Sequence, residues 1–371
     1  MFFIYYFMSL VPEYIKNLTP YKAGKHIDDV KREYSIDNII KLASNENPRG
    51  PSENVLSSIK NAHCDISLYP DPNGYQLRKK LSKKFDLNID NVVLGSGSEG
   101  IMANIMRTFL NEKDRILATK NSFIGFRVLA QASGKSIDWV PMKNYRYNLE
   151  LMSKAINEKT KIIYLANPDN PTGSYFKKTE FDNFMNEVPS RVLVILDEAY
   201  YEYASKKSNY PDSMSYRYDN VITLRTFSKA YGLAGLRVGY GFAHSELISN
   251  LMKVKLPFEP SSLAQVAALA AIEDKNYLNS TLDLNERQIE KLEKILITNN
   301  ISFIPSAANF ITLIFNDVQE AKNFTQEFLM NGIILRHLKS FGHPECVRVS
   351  TGNEKEMDIF VQQLISIMEK I

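Results

Sequence analysis

Four short segments of the chain hold side chains that could do chemistry together. "GSGSEG" carries Ser98 and Glu99, "NPDNPTG" carries Asn170, "LDEAYYEY" carries Asp197 and Tyr200, and "TFSKAYGLAGLRVGYG" carries Ser228, Lys229 and Arg237. Each directly follows an apolar, β-branched run: "NVVLG", "KIIYLAN", "RVLVILD" and "NVITLRT". In open α/β sheets, ligands collect beyond the carboxyl ends of the strands, so these residues can face one crevice. A glycine- and serine-rich turn entering a helix points backbone N–H groups at a phosphate. An aspartate can hold a pyridine nitrogen protonated, and a lysine amine can condense with an aldehyde.

Taken singly, each residue has an ordinary reading. Lys229 could be a solvated charge, Asp197 a turn cap, "NPTG" a plain turn, Arg237 a surface ion pair and Ser98 an N-cap. "GSGSEG" also spells GxGxxG, the dinucleotide-binding fingerprint, which wants an acidic residue at the end of the next strand, about twenty positions on. Asp114 has nearly that spacing but precedes the strand "RILAT" instead of following it. One phosphate site, one aspartate and one lysine together point to pyridoxal phosphate. In that reading Asp197 pairs with the ring nitrogen, Lys229 forms the Schiff base, and Asn170 and Tyr200 contact the ring hydroxyl. Phe123 stacks on the ring, while Ser98, Ser228 and Arg237 hold the phosphate.

The chain has 371 residues, with 45 Lys and Arg against 42 Asp and Glu, a balance that gives no case for nucleic-acid binding. Its two cysteines, Cys64 and Cys346, stand far apart without ligand-spaced neighbours, which fits a reducing compartment and excludes a cysteine-built metal site. The opening "MFFIYYFMSLV" lacks a basic n-region and is cut short by Pro12 and Glu13. It reads as an N-terminal arm that buries itself against something; a start at Met8 would remove most of it.

Strand-length runs alternate with amphipathic helical segments from about residue 75 to 245, the pattern of an α/β fold with a mostly parallel sheet covered by helices on both faces. After "KLPFEPSS" one long helix is expected over residues 262–299, followed by a smaller α+β part. The expected divisions are a segment at 1–40, a large domain at 41–255 and a small C-terminal domain at 256–371.

With these motifs in order, the chain resembles the fold-type I pyridoxal-phosphate aminotransferases of class I and II. Within them it is similar to the histidinol-phosphate aminotransferase family. The likeness runs through "LTPYKAGK", "IIKLASNENPRGPS", "LYPDPNGYQLRKKL", "SAANFI", "GIILR" and "VRVSTG" as well as the four segments above. It implies that Lys229, Asp197 and Tyr200 are catalytic. It also implies that the backbone at Glu99 joins the phosphate site, and that Tyr69 reaches in from a second subunit of a homodimer. Arg348 would grip a substrate carboxylate, and Tyr21, Asn47 and Arg336 would line the side that selects the substrate. The implied reaction, in the cytoplasm, takes L-histidinol phosphate and 2-oxoglutarate to imidazole acetol phosphate and L-glutamate. An aromatic amino-acid aminotransferase is the alternative, and a threonine-phosphate decarboxylase-like lyase a lower one. Two departures stand out: "NSF" where relatives often place proline before the stacking aromatic, and Arg49 where an aromatic or aliphatic residue is frequent. Arg49, beside the implied substrate entrance, could favour a phosphate-bearing substrate or point to water, and water is the expected reading.

Overall fold

A strand buried on both faces must be apolar along its buried length, and "IIYLA" (162–166) meets that requirement. Ile162, Tyr164 and Ala166 pack on one face of the sheet and Ile163 and Leu165 on the other. The computed structural model that shows this describes residues 10–20, 24–25, 27–34, 36–62, 67–214 and 218–368. The strands are β1 (Ile40–Lys41), β2 (Val92–Ser96), β3 (Arg115–Thr119), β4 (Ser136–Val140), β5 (Thr160–Ala166), β6 (Leu193–Asp197), β7 (Val221–Thr226) and β8 (Val238–Phe242). They continue as β9 (Phe303–Ile304), β10 (Phe310–Ile314), β11 (Ile333–Ile334), β12 (Arg336–His337) and β13 (Cys346–Ser350).

Seven of these form the main sheet in the order β2-β8-β7-β6-β5-β3-β4. All neighbours run parallel except β8, which is antiparallel to both β2 and β7. The carboxyl ends of β5, β6 and β7 therefore lie side by side and deliver Asn170, Asp197 and Lys229 to one edge. A second sheet, β12-β13-β10-β9, is antiparallel, and β1 pairs with β11 in a separate parallel ladder. Leu42 beyond β1 shares a core with Leu292, Ile311, Phe328, Val347, Val349 and Phe360. An early stretch of chain is thus built into the smaller, late-sequence layer.

The single helix expected over 262–299 is two, Ser262–Glu273 and Lys275–Thr298. Asp274 separates them: its backbone turns out of the helical region (ψ 68°) and its side chain accepts from the Tyr277 N–H at 3.1 Å. Aspartate is among the strongest N-caps, so it ends one helix by starting the next. The apolar N-terminal arm lies outside the described residues apart from its last positions. Among the described residues, no helix is long and apolar enough to cross a membrane.

Behind the carboxyl edge, a buried ion pair ties β6 to β7. Arg225 donates to Glu198 Oε2 from Nε at 2.8 Å and approaches it with Nη2 at 2.7 Å, both side chains being fully buried. Ser213 adds a hydrogen bond to the same oxygen, and the guanidinium lies over Tyr201, 3.2 Å from the ring centroid. Burial pushes the Glu198 carboxyl up to about 7 and Arg225 pulls it back. Removing one member strands the other, at a cost of about 3–5 kcal/mol. Arg225→Met should lower unfolding stability by that order, and Arg225→Met with Glu198→Leu should recover part of it. Denaturant melts of the wild type, the single and the double variant decide this; a double variant as unstable as the sum of its parts would refute it.

Candidate functional site

The residues at the carboxyl edge enclose a cavity of about 120 Å³. Its lining includes Ser98, Glu99, Phe123, Asn170, Asp197, Tyr200, Ser228, Lys229 and Arg237. Nine residues drawn from separate segments of the sequence thus meet in one place.

Asp197, the last residue of β6, is 5% exposed. Its Oδ2 accepts from the Tyr164 hydroxyl at 2.8 Å and its Oδ1 from the Ala199 N–H at 3.1 Å. Burial nevertheless raises its pKa to about 6, with Tyr164 and Ala199 opposing. Lys229 follows β7 in the turn Phe227–Gly232. Gly232 closes that turn with φ +73°, donating to the Lys229 carbonyl at 3.0 Å. A Cβ there would lie 2.1 Å from the Gly50 carbonyl oxygen, so only glycine fits. The Lys229 amine donates to the Ser44 carbonyl at 3.3 Å and sits 5.7 Å from the Tyr200 ring centroid. Burial, then the Arg348 charge, then Arg237 among the further causes lower its pKa to about 8.

The Ser98 end of the cavity is a helix N-terminus, Gly97–Phe109, whose first N–H groups lack helical partners. Gly97 has φ +70°, and a Cβ on it would come within 2.8 Å of Arg237 Nη2. A Cβ on Gly239 would come within 2.5 Å of the Ser98 nitrogen. Glycines keep this cradle open. Arg237 pairs with Glu99 at 3.3 Å, both about half exposed, a contact worth no more than about 1 kcal/mol and readily exchanged for a stronger anion. Ser228 donates its N–H to Thr226 Oγ1 at 3.1 Å, leaving its hydroxyl, 3.0 Å from that oxygen, at the cavity wall. The donors, the open cradle and a buried carboxylate that no Lys or Arg pairs with among the described residues all fit a phosphate-bearing pyridine.

Other expected residues stand apart from this cavity. Arg348, on β13, donates through Nη1 to Asn170 Oδ1 and through Nη2 to the Ala43 carbonyl at 2.7 Å. Arg336 faces Arg348 across the β12–β13 pairing and lies in a neighbouring cavity. Asn47 is buried away from the lining, its amide donating to the Ala230 carbonyl at 2.9 Å and its oxygen accepting from the Arg49 N–H. The Arg49 side chain is exposed, as expected, but lies over Tyr277 at 4.6 Å and bonds Ser280. Tyr69 is 79% exposed and stacks on Phe258 at 4.1 Å. Tyr21 lies outside the described residues.

Sequence reasoning missed Tyr164 and Asn45. Tyr164 is the one polar-tipped residue within the apolar stretch Ile162–Ala166 of β5, a signal that was available. Asn45 donates to the Tyr200 hydroxyl at 2.8 Å and has φ 54°, and nothing local marks it beyond its asparagine identity.

Residues 37–364 match the family described as aminotransferase class I and II. The chain belongs to that family. A histidinol-phosphate aminotransferase of Caldicellulosiruptor saccharolyticus is 39% identical over 358 residues, covering 96% of this chain and 99% of that relative. Histidinol-phosphate aminotransferase 2 of Pseudomonas fluorescens is 39% identical over 368 residues, covering 98% and 99%. The crystal structure of histidinol-phosphate aminotransferase from Sinorhizobium meliloti in complex with pyridoxal-5'-phosphate aligns with a TM-score of 0.89 at 27% identity, covering 98% of each chain. This aminotransferase therefore has the fold-type I architecture expected from its sequence: a mostly parallel sheet with helices on both faces and a smaller sheet beside it.

A lysine whose folded pKa lies below its unfolded value costs stability below about 8, and that cost disappears as pH rises toward 10.5. In cofactor-free protein, Lys229→Met should gain stability relative to wild type at pH 7, by up to about 3 kcal/mol, and lose that advantage by pH 10.5. Urea melts across this range test it; a difference that does not vary with pH would show that the amine is not desolvated.

Proposed function

We propose that this aminotransferase uses pyridoxal phosphate to transfer the amino group of L-histidinol phosphate to 2-oxoglutarate, giving imidazole acetol phosphate and L-glutamate. The observation that carries the reading is one cavity in which a buried carboxylate with pKa raised to about 6 and a lysine lowered to about 8 share the ends of adjacent parallel strands. The near-full-length likeness to histidinol-phosphate aminotransferases supports the choice of substrate over an aromatic amino acid.

In this reading Asp197 holds the pyridine nitrogen, Lys229 the aldehyde carbon, and Asn170 and Tyr200 the ring oxygen. Phe123 covers the ring face. Ser98, the Glu99 backbone, Ser228 and Arg237 hold the phosphate, with Arg237 exchanging Glu99 for it. Bound in this way, the cofactor supplies an electron sink for the bond broken at the substrate carbon. Lys229 then moves the proton at that carbon, for which it must be a free amine near neutral pH. Its desolvation and the Arg348 and Arg237 charges serve that need. Tyr164 and the Ala199 N–H fix the Asp197 carboxylate in place, so its charge needs no reorganisation. Arg348 and Arg336 offer guanidinium forks that suit carboxylate and phosphate alike, which one site must do to accept both substrates.

The working unit in this proposal is a homodimer with its sites at the subunit interface, in the cytoplasm. Exposed Leu68, Tyr69, Leu256 and Phe258 form apolar surface that one subunit leaves uncovered, and Tyr69 is the residue it would lend to the partner's site. In this reading a large domain expected at 41–255 would hold the cofactor and a small one at 256–371 would close the substrate side, with two shifts of boundary: Leu42 packs in the core of the smaller layer, and the helix Ser262–Glu273 packs against Val92, Leu94 and Tyr240 of the main sheet. Tyr21 and Asn47 complete the substrate side in the same reading.

The visible spectrum of the purified protein tests the proposal. Its cofactor band should bleach with L-histidinol phosphate at far lower concentration than with L-tyrosine; the reverse order would favour the aromatic amino-acid reading. Release of carbon dioxide without an oxo-acid acceptor would instead favour the lyase. Lys229→Ala should bind the cofactor noncovalently and lose transamination, and substantial remaining turnover would refute the role of Lys229. Arg336→Ala should slow the histidinol-phosphate half-reaction more than that of glutamate. Equal losses would remove it as the discriminating contact.

A further inference from the structure

The reaction proposed above leaves one buried carboxylate beside the cavity without a task. Asp169, next to Asn170, is 0% exposed, and among the described residues no Lys or Arg pairs with it. Three donors serve it instead. Its Oδ1 accepts from the Ser122 hydroxyl at 2.5 Å, and its Oδ2 from the Thr172 N–H at 3.2 Å and the Thr172 hydroxyl at 2.8 Å. Burial pushes its pKa up to about 6 while the Ser122 and Thr172 bonds oppose, so near neutral pH it is ionised and can only accept.

The direction of every bond behind Ser122 is then fixed. The Ala166 N–H can only donate, and it donates to the Tyr147 hydroxyl oxygen at 3.0 Å. Ser122 gives its one proton to Asp169, so in the 2.8 Å contact between Ser122 and Tyr147 the donor is Tyr147. A one-way chain thus runs from β5 through Tyr147 and Ser122 to Asp169. It starts at Ala166, the residue in register with Asp197 across β5 and β6.

Its far end joins two turns of the cavity wall. The Asp169 N–H donates to the Ser174 carbonyl at 2.8 Å and its carbonyl accepts from the Gly173 N–H at 2.9 Å, which closes the turn presenting Asn170. Ser122 directly precedes Phe123. The segment is also gripped on either side of Ser122: a Cβ on Gly342 would come within 2.2 Å of Asn121 Oδ1, and a Cβ on Gly125 within 2.6 Å of Phe123 Cζ. Phe123 and Asn170 line the cavity, and Asp169 stands behind them.

We infer that Asp169 is a positioning residue for the cofactor ring: by accepting from Ser122 and Thr172 together it holds the Phe123 turn and the Asn170 turn at one spacing, so that an aromatic face and an amide meet the ring at the same time. The inference rests on the cofactor placement proposed above. An amide cannot take the place of this carboxylate. In Asp169→Asn, an NH2 group turned to Thr172 faces a backbone N–H, and one turned to Ser122 leaves a hydroxyl proton of Ser122 or Tyr147 without an acceptor.

The test compares the wild type, reconstituted with pyridoxal phosphate, with Asp169→Asn and with Ser122→Ala, which removes the link and keeps the carboxylate. Cofactor affinity is measured by titrating cofactor-free protein, and the visible circular dichroism of the bound cofactor is recorded at saturation, where weaker binding no longer contributes. Each variant should weaken cofactor binding about three- to tenfold and alter the circular dichroism of the saturated band, as a ring held at a different angle between its walls requires. Saturating half-reaction rates should fall by the same factor with every amino donor that the wild type accepts, because the effect lies on the cofactor. Variants that melt at lower temperature yet keep wild-type cofactor affinity and an unchanged saturated spectrum would make Asp169 structural only and overturn the inference. Losses confined to one donor would overturn it as well. A wild type that develops no cofactor band would overturn the reading of the site and this inference with it, whereas a wild-type band shared unchanged by both variants overturns the inference alone.

Discussion

An amine and a carboxylate buried in one small cavity ordinarily neutralise each other, and the rest of this structure depends on keeping them apart. Asp197 and Lys229 leave adjacent parallel strands at the same edge, yet no ion pair joins them among the described residues. Asp197 is held back by Tyr164 and the Ala199 N–H, and Lys229 is turned toward Ser44 by a tight loop that only glycine at 232 permits. The space between is the site. Burial moves both groups toward neutrality, Asp197 up to about 6 and Lys229 down to about 8, which is the condition for a proton to be moved near neutral pH.

Keeping such groups poised demands a rigid floor. The parallel run of β5, β6 and β7 supplies it, with apolar side chains interlocked on both faces and the Glu198–Arg225 pair clamping β6 to β7 immediately behind Asp197. The opposite wall is of another kind. Arg348 and the stretch Ala43–Asn45 come from the smaller layer and meet the floor through hydrogen bonds to Asn170, Tyr200 and Lys229. The sheet is held by packing on both faces and a buried ion pair, the wall by hydrogen bonds across the cavity.

Most of the floor was legible in the sequence because its signals are local. A strand that ends in a polar residue, a glycine-rich turn and a helix start can each be read from neighbouring residues, and Ser98, Asn170, Asp197, Ser228, Lys229 and Arg237 fell together as that pattern requires. The wall was harder. Asn45 acquires its place from Ser350 and Tyr200, and Asn47 from Ala230, partners whose proximity no spacing announces. The break at Asp274 was readable as an N-cap but was masked by helical periodicity on both sides.

The stitch between Asn45 and Ser350 has a consequence for how the molecule comes into being. The Asn45 N–H donates to Ser350 Oγ at 2.9 Å and the Ser350 hydroxyl returns a bond to Asn45 Oδ1 at 2.7 Å, across 305 positions of sequence. On the ribosome, the strands of the main sheet are all made once β8 emerges and their covering helix Ser262–Glu273 follows soon after, but the wall over Lys229 cannot close until residue 350 has been made. A prematurely terminated chain therefore leaves Lys229 in an open, incomplete pocket, and the enclosure forms only when residues 45 and 350 can meet.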